Sequence, residues 1–353
     1  MSQRTSKKQP RVLSGMRPTG KLHLGHFVGA LDNWIRLQKQ YECFFFVADW
    51  HALTTNYADT SDVKQSALEM VFDWLAAGLD PEHATMFTQS HVPEHAELHL
   101  LLSMITPLGW LERVPTYKEQ RDNIKDKDLG TYGFLGYPVL MSSDILVYQA
   151  DYVPVGEDQV PHLEFTREIA RRFNMFYAGK REYVFPEPQP LLTPAAKLPG
   201  TDGRKMSKSY GNALLLTDPE PVIRQKLKTM VTDPARVRRT DPGNPDVCPV
   251  GDLHKIFSDQ ETIANVDAGC RSAGIGCIQC KQWAADHIVK VLAPIQDRRR
   301  KYEENPRLAW DILEAGSAKA RKAAAATMAE VREAMRLSHS YEAPPKNIAS
   351  TSE

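Results

Sequence analysis

Two short segments carry histidine or lysine side chains at spacings that suit a polyphosphate. In the first, Thr19-Gly-Lys-Leu-His-Leu-Gly-His26, His23 and His26 lie three residues apart and share one face of a helix. Imidazole N–H groups at a helix start could donate to phosphate oxygens, and the helix dipole favours an anion there. Gly25 leaves the ligand's approach to this turn open. Taken alone, the two histidines could equally be ordinary surface residues.

The second segment is Gly203-Arg204-Lys205-Met206-Ser207-Lys208-Ser209, in which two residues separate Lys205 from Lys208. Two ammonium groups in a loop rich in glycine and serine can bind the oxygens of a polyphosphate. A solvated basic loop is the commoner role of such residues, so the interpretation depends on both segments being present in one chain. Together they predict a nucleotide site with His23, His26, Lys205 and Lys208 as its catalytic residues.

Four of the five cysteines fall within 33 positions, at Cys248, Cys270, Cys277 and Cys280, whereas Cys43 lies in an apolar stretch. The two residues between Cys277 and Cys280 are typical of a chelating pair, and the other two cysteines complete a set of four thiolates. Thiolates bind Zn²⁺ or an iron–sulfur cluster, and the spacing alone does not choose between them. Four unrelated structural cysteines are the alternative.

Strands and helices alternate around these segments. We predict strands at residues 11–14, 42–49, 84–89 and 152–155, and helices at 24–35, 62–77, 138–149 and from about 160 to 173. Ser61 is the expected N-cap of the second helix, and Gly78 its stop. This order is typical of an α/β protein with a Rossmann-like parallel sheet. The regular spacing of apolar residues is lost near residues 191–203. After that, the pattern predicts helices at 220–230, 252–257, 262–266, 281–292 and 308–335.

The composition is that of an ordinary globular protein, with 353 residues, 42% hydrophobic and 25% charged. Lys plus Arg equals Asp plus Glu at 44, so any nucleic-acid surface must be a local patch. The basic clusters at 236–239 and 298–301, with Lys281, are the candidates. The sequence has no apolar run of about 18 residues, and its polar start lacks the apolar stretch of a signal peptide. We therefore expect a cytoplasmic protein.

The two segments together are the signature pair of class I aminoacyl-tRNA synthetases. Over residues 11–337 the chain resembles tryptophanyl-tRNA synthetases of the bacterial type. The similar stretches are Ser14–Gly20, Ala48–Leu53, Tyr137–Leu146, Val153–Gln159 and the loop that begins at Lys205. Many members have Thr-Ile-Gly-Asn where this chain has His23–His26, and Gln where it has Arg17.

The resemblance implies two sets of binding residues. Asp144 would accept a hydrogen bond from the indole, whose nitrogen is a donor only. The rest of the implied tryptophan site comprises Met141, Val155, Gly15, Tyr137, His51 and Gln159. The implied ATP contacts are Arg17, Pro18, Thr19, Gly25, His26, Lys118, Gly156, Glu157, Asp158, Leu198, Lys205, Met206, Ser207, Lys208 and Ser209.

The implied reaction has two steps. The tryptophan carboxylate attacks the α-phosphate of ATP and releases pyrophosphate, and the adenylate is then transferred to the terminal ribose of tRNA-Trp. Catalysis would come from positioning and from charge stabilisation, with Mg²⁺ on the polyphosphate. The family works as a homodimer. The implied layout is a disordered tail (1–10), a Rossmann catalytic domain (11–212), a helical anticodon-binding domain (213–302), a helix that packs back on the catalytic domain (303–338) and a second tail (339–353).

A subset of this family carries a nearly identical four-cysteine pattern that binds a [4Fe–4S] cluster beside the anticodon-binding region. The resemblance therefore favours a cluster over zinc, although this chain has one residue fewer in the first spacer. The rival functions are a tyrosyl-tRNA synthetase on the same scaffold, a shorter nucleotidyltransferase, and a non-catalytic tRNA-binding iron–sulfur paralogue. Met141 and Asp144 favour an indole over a phenol, and the intact histidines and lysines argue against a loss of catalysis.

Overall fold

A parallel sheet forms the centre of the protein. The computed structural model describes residues 9–114, 130–192 and 198–337. Its five strands are β1 (Arg11–Met16), β2 (Glu42–Val47), β3 (Ala84–Thr88), β4 (Tyr152–Val155) and β5 (Gln189–Leu192). They are all parallel and lie in the order β3-β2-β1-β4-β5. Because the order reverses at β1, a crevice opens between the carboxyl ends of β1 and β4, where ligands bind in such sheets.

Helices cover the sheet and form the C-terminal part of the chain. Those between and beside the strands are α1 (Leu24–His26), α2 (Asp32–Leu37), α3 (Asp49–Asn56), α4 (Val63–Ala77), α5 (Glu94–Ser103), α6 (Leu108–Leu111), α7 (Tyr132–Val147) and α8 (Val160–Tyr177). A π-helical turn, Phe27–Leu31, joins α1 to α2. The C-terminal helices are α9 (Glu220–Thr229), α10 (Pro249–Phe257), α11 (Gln260–Arg271), α12 (Cys277–Glu304) and α13 (Arg307–Ala334). The predicted fold class, a Rossmann-like parallel sheet with a helical second part, is confirmed.

The alternation of side chains along β2 divides the core into two. Phe45 joins a cluster with Trp34 of α2, whose ring stacks on it at 4.5 Å, and this cluster continues into α9, α10 and α12. Phe44 and Phe46 point to the opposite face, where they pack with residues of α5, α7, α8 and α13. Both faces of the strand are therefore buried, as a parallel sheet requires.

Helix α13 lies against the outer strand β3. A Cβ added at Gly316 would lie 1.8 Å from the Met86 carbonyl oxygen, so only glycine permits this approach. The Thr88 N–H donates to the Ser317 hydroxyl at 3.4 Å. The helix thus covers an edge that would otherwise expose unpaired backbone groups. Within the described ranges, no helix is both long enough and apolar enough to span a bilayer.

Several predicted boundaries were wrong, and proline accounts for most of them. Strand β5 was missed because Pro190 interrupts its pattern; the strand is at the sheet edge, where proline is tolerated. Helix α7 runs through Pro138, where the predicted helix began, and α12 runs through Pro294, beyond its predicted end at residue 292. Ser61 does not cap α4; its hydroxyl donates to Asp59 instead. Most of the predicted N-terminal tail and all of 339–353 lie outside the described residues.

Candidate active site

The histidine segment folds into a reciprocal cap at the start of α1. His23 is the N-cap residue, and its Nδ1 accepts the His26 N–H at 3.3 Å. The His26 Nδ1 accepts the His23 N–H at the same distance. The two rings lie 3.7 Å apart between centroids. A Cβ added at Gly25 would come within 2.9 Å of the His23 ring, so glycine permits this arrangement.

Both imidazoles are held neutral. Burial, followed by the charges of Lys208 and Lys205, lowers the pKa of His23 to about 4. Burial, followed by His23 and the same lysines, lowers the pKa of His26 to about 3. Since each Nδ1 accepts a backbone hydrogen bond, the proton of each neutral ring is on Nε2. Each ring therefore presents an Nε2–H donor, as the binding of phosphate oxygens requires.

The lysine loop contacts the loop in front of these histidines. The Lys208 ammonium donates to the Thr19 carbonyl and, at 2.8 Å, to the Lys21 carbonyl. Lys205 is exposed, whereas the Met206 side chain is buried in the core. The Ser207 N–H donates to the Asn212 side chain at 2.8 Å, which fixes the middle of the loop. The structure thus brings the two predicted segments together across 189 positions of chain.

A cavity of about 540 Å³ opens beside these loops at the carboxyl ends of β1 and β4. All seven residues predicted for the tryptophan site line it: Gly15, His51, Tyr137, Met141, Asp144, Val155 and Gln159. Four predicted ATP contacts, Arg17, Thr19, His26 and Gly156, line it as well. An apolar space with one charged group at its base and donors at its mouth suits an aromatic amino acid beside a nucleotide.

Asp144 is the buried charge of this cavity, with 1% of its surface exposed. Its Oδ2 lies 2.7 Å from His51 Nε2, and its Oδ1 lies 2.7 Å from both Gln89 Nε2 and His95 Nδ1. Burial acts to raise the pKa of Asp144, but the neighbouring imidazoles and their hydrogen bonds outweigh it and lower the pKa. The group is therefore a buried, ionised hydrogen-bond acceptor.

Other predicted contacts lie elsewhere. Pro18 lines a neighbouring cavity of about 470 Å³. Glu157 and Asp158 form a short 3₁₀ turn after β4. The Leu198 side chain is buried in the core, and its carbonyl accepts the Met206 N–H at 3.0 Å. Lys118 lies outside the described residues.

The sequence did not mark Gln89 or His95, which are fully buried behind Asp144. Gln89 directly follows β3, and His95 is the second residue of α5. Polar residues after a parallel strand are the signal that could have found them, because strand ends gather at one edge of the sheet.

The four cysteines are placed at helix ends. Cys248 is the N-cap of α10, Cys277 begins α12, and Cys280 lies one turn later. Cys270 is near the end of α11. Burial, followed by the other three thiols, raises the pKa of Cys280 to about 12, so the four groups are electrostatic neighbours. In the part of the chain that the structure describes, no three His, Cys, Asp or Glu side chains converge as the ligands of one metal ion.

Two arginines predicted for a nucleic-acid surface are buried. Arg236 is 9% exposed and donates to Cys270 Sγ at 3.8 Å. Arg299 is 2% exposed and pairs with the carboxylates of Asp73 and Glu69. Neither can contact a tRNA backbone, so the prediction was wrong for both. Neighbouring cations such as Arg238 and Arg300 are exposed.

Comparisons with known proteins agree with this geometry. Residues 5–293 match the family described as tRNA synthetases class I (W and Y). A tryptophan–tRNA ligase of Thermotoga maritima is 55% identical over 329 residues, which cover 93% of this chain and 99% of that protein. One of Ralstonia nicotianae is 50% identical, with coverages of 94% and 99%. The tryptophanyl-tRNA synthetase of Campylobacter jejuni complexed with ADP and tryptophan superposes with a TM-score of 0.82 at 31% identity, covering 92% of this chain and 99% of that one.

Proposed function

The chain belongs to the tryptophan–tRNA ligases of class I, and from that membership we propose how its own residues activate tryptophan. The family's enzymes join L-tryptophan to tRNA-Trp at the expense of ATP. We propose that this one works in the cytoplasm, with the cavity between β1 and β4 as its active site. The observation that carries the proposal is the ionised Asp144 at the base of that cavity.

Asp144 would receive the indole N–H of tryptophan. A carboxylate offers about four acceptor positions, and the structure fills three of them with Gln89, His95 and His51. The position left on Oδ2 is on the side of His51, which lines the cavity. Met141 would contact the ring, since it lies one helical turn before Asp144 and also lines the cavity.

The two basic segments would bind the triphosphate. The neutral His23 and His26 would donate from Nε2 to phosphate oxygens without adding charge. Lys205 and Lys208 would offset the charge that builds on the leaving pyrophosphate as the tryptophan carboxylate attacks the α-phosphorus. Mg²⁺ would add positive charge to the polyphosphate. Lys208 must leave the carbonyls of Thr19 and Lys21 to do so.

The four cysteines fit an iron–sulfur cluster, which would be held by Cys248, Cys270, Cys277 and Cys280. The supporting observation is Arg236, a buried guanidinium that forms no ion pair with a carboxylate among the described residues. Its Nη2 donates to the carbonyls of Arg239 and Ile275 and its Nη1 to Cys270 Sγ, while its Nε lacks a hydrogen-bond partner in the same region. An unpaired buried cation is costly, and thiolates carrying a cluster would supply the missing negative charge.

The positions of the thiols agree with a cluster. Cys248 and Cys277 are at helix N-termini, where the helix dipole favours a thiolate. In a [4Fe–4S] cluster each thiolate binds a different iron, so the sulfurs need not converge on one point as four zinc ligands do. When bound, the cluster would fix α10, α11 and α12 relative to one another. We propose that it shapes the tRNA-binding surface and takes no part in adenylate formation.

We also propose that the enzyme acts as a homodimer. Four large apolar side chains are exposed in the region of α5, α6 and α7: Leu100 at 54%, Met104 at 70%, Leu108 at 59% and Tyr132 at 65%. Large apolar side chains exposed on neighbouring helices suit a contact with a second copy of the chain.

The direct test of the function is aminoacylation with purified tRNAs. Protein supplied with ATP, Mg²⁺ and labelled amino acid should charge tRNA-Trp with tryptophan and leave tRNA-Tyr uncharged with tyrosine. The reverse result would assign the chain to the tyrosine branch of the same family. A failure to charge either tRNA, with folding intact, would support the non-catalytic alternative.

A further inference from the structure

The two carboxylate oxygens of Asp144 accept hydrogen bonds from different groups of residues. Oδ1 accepts from Gln89 and from His95, both of which are completely buried. Oδ2 accepts from His51, which lines the cavity. Since a carboxylate oxygen accepts about two hydrogen bonds in its plane, Oδ1 is saturated, and Oδ2 has one position that no residue in the described ranges fills. The buried pair therefore determines which oxygen faces a ligand.

Asp144 and Tyr148 bond the two ring nitrogens of His95. The ionised carboxylate can only accept, so His95 Nδ1 must carry the proton that joins it to Oδ1. His95 Nε2 lies 2.8 Å from the Tyr148 hydroxyl, which is at the end of α7 and fully buried. Burial raises the pKa of Tyr148 well above its usual value, so the phenol keeps its proton and stays a neutral partner of Nε2. With Nδ1 bonded to the carboxylate and Nε2 to the phenol, the His95 ring cannot turn without losing a hydrogen bond.

The contact with the carboxylate requires a proton on Nδ1. If His95 carried its proton on Nε2 alone, its bare Nδ1 would face Oδ1 at 2.7 Å, and two lone pairs would repel each other. The rings of Phe46 and Phe87 lie about His95 at centroid distances of 5.9 and 6.0 Å, which confines its position. Removal of the Tyr148 hydroxyl would therefore remove one of the two hydrogen bonds that hold the ring, without opening a large space.

We propose that His95, whose ring is held between Asp144 and Tyr148, is a positioning residue that fixes Asp144 and thereby sets the preference for a ring carrying an N–H donor. This inference rests on the proposed binding of tryptophan at Asp144. His95 does not touch the substrate; it acts through the carboxylate. A carboxylate that has lost this hydrogen bond can rotate, and the acceptor on Oδ2 is then no longer aimed at the indole.

The test compares tryptophan with an analogue that lacks only the donor. In β-(3-benzothienyl)-L-alanine a sulfur atom replaces the indole N–H, while the ring keeps nearly the same shape. The measured quantity is the ratio of kcat/KM for the two amino acids in ATP–pyrophosphate exchange. His95→Leu should lower this ratio about tenfold, because the hydrogen bond to the donor is impaired and the rest of the site is retained. His95→Asn, whose amide can replace Nδ1–H, should keep most of the ratio.

A matched control is available. His83 also bonds an aspartate, with Nδ1 2.9 Å from Asp80 Oδ2, but that pair is exposed. His83→Leu should leave the ratio unchanged. If His95→Leu fails to fold, Tyr148→Phe provides the second test, with an expected loss of a few-fold in the same ratio.

The outcomes separate this inference from the proposed function. If the wild-type protein has the same kcat/KM for tryptophan and for the analogue, the proposed hydrogen bond from the indole to Asp144 is wrong. If wild type distinguishes them and neither His95→Leu nor Tyr148→Phe lowers the ratio, the proposal for His95 is overturned. If His95→Leu lowers kcat/KM equally for both amino acids, His95 only stabilises the fold and the proposal is also overturned.

Discussion

Arg299, in the last third of α12, forms an ion pair with Asp73 of α4 inside the protein. The second oxygen of Asp73 accepts the backbone N–H of Leu22, the residue before His23, at 2.6 Å. Helix α12 begins at Cys277, so a single helix carries two of the four clustered cysteines at one end and the support of the histidine loop near the other. This pair therefore links the helical part of the chain to the nucleotide-binding segment.

Loss of this pair should destabilise the protein strongly. Arg299→Met leaves the buried Asp73 charge unpaired, which costs about 3–5 kcal/mol in the free energy of unfolding. Chemical denaturation with urea measures it. Arg300→Met is the matched control, because Arg300 pairs with Asp297 at the surface and its loss should change the free energy by less than about 1 kcal/mol. If the two substitutions lowered the free energy of unfolding equally, the buried pair would contribute no more to stability than the surface pair.

The neutral histidines predict a dependence of stability on pH. The unfolded chain protonates both near pH 6.5, whereas the folded chain holds the pKa of His23 at about 4 and that of His26 at about 3. Between these values the unfolded state binds more protons, so the free energy of unfolding falls as the pH drops from 6.5 toward 4. Replacing either histidine with Gln should remove up to about 1.4 kcal/mol per pH unit from that slope. An unchanged slope in His23→Gln/His26→Gln would show that the rings are protonated in the folded state.

Lys208 should act on the rate of adenylate formation. Lys208→Ala removes a charge that stabilises the leaving pyrophosphate, so the single-turnover rate should fall about 10²–10³-fold while tryptophan binding changes little. Lys39→Ala, at an exposed position on another surface, is the control and should keep the wild-type rate. A loss of tryptophan affinity with an unchanged rate would contradict the proposed role.

The cysteine group should hold iron. Protein purified without oxygen should be brown and contain about four irons per chain, and Arg236→Gln should retain less iron because the charge opposite the thiolates is lost. Arg238→Gln, at an exposed neighbour, should keep the wild-type content. Cys277→Ser should impair tRNA charging more than pyrophosphate exchange. Colourless protein with one zinc per chain would show that the cysteines bind zinc and not an iron–sulfur cluster. The assignment as a tryptophan–tRNA ligase would not be affected.

The sequence predicted those parts of the site that lie in contiguous segments. Each of the seven residues assigned to tryptophan lies in a stretch with its own recognisable pattern, and the sheet brings them to one cavity. His95 and Tyr148 have no such pattern, because their role exists only where α5 and α7 meet behind Asp144. Arg236 and Arg299 were wrongly predicted to lie on an exposed surface for the same reason. A run of basic residues predicts a charged surface, but the groups that bury these two arginines are far away in the chain.

Selection of tryptophan by Asp144 is tested by the amino-acid-dependent exchange of pyrophosphate into ATP. Wild-type protein should show strong exchange with tryptophan and a kcat/KM at least about 10³-fold lower with tyrosine, since a buried acceptor discriminates against a poorly matched donor. Asp144→Asn should lose most of the exchange with tryptophan, whereas Asp32→Asn, at the surface of α2, should not. Equal exchange with tryptophan and tyrosine in the wild type, or full activity in Asp144→Asn, would contradict the claim.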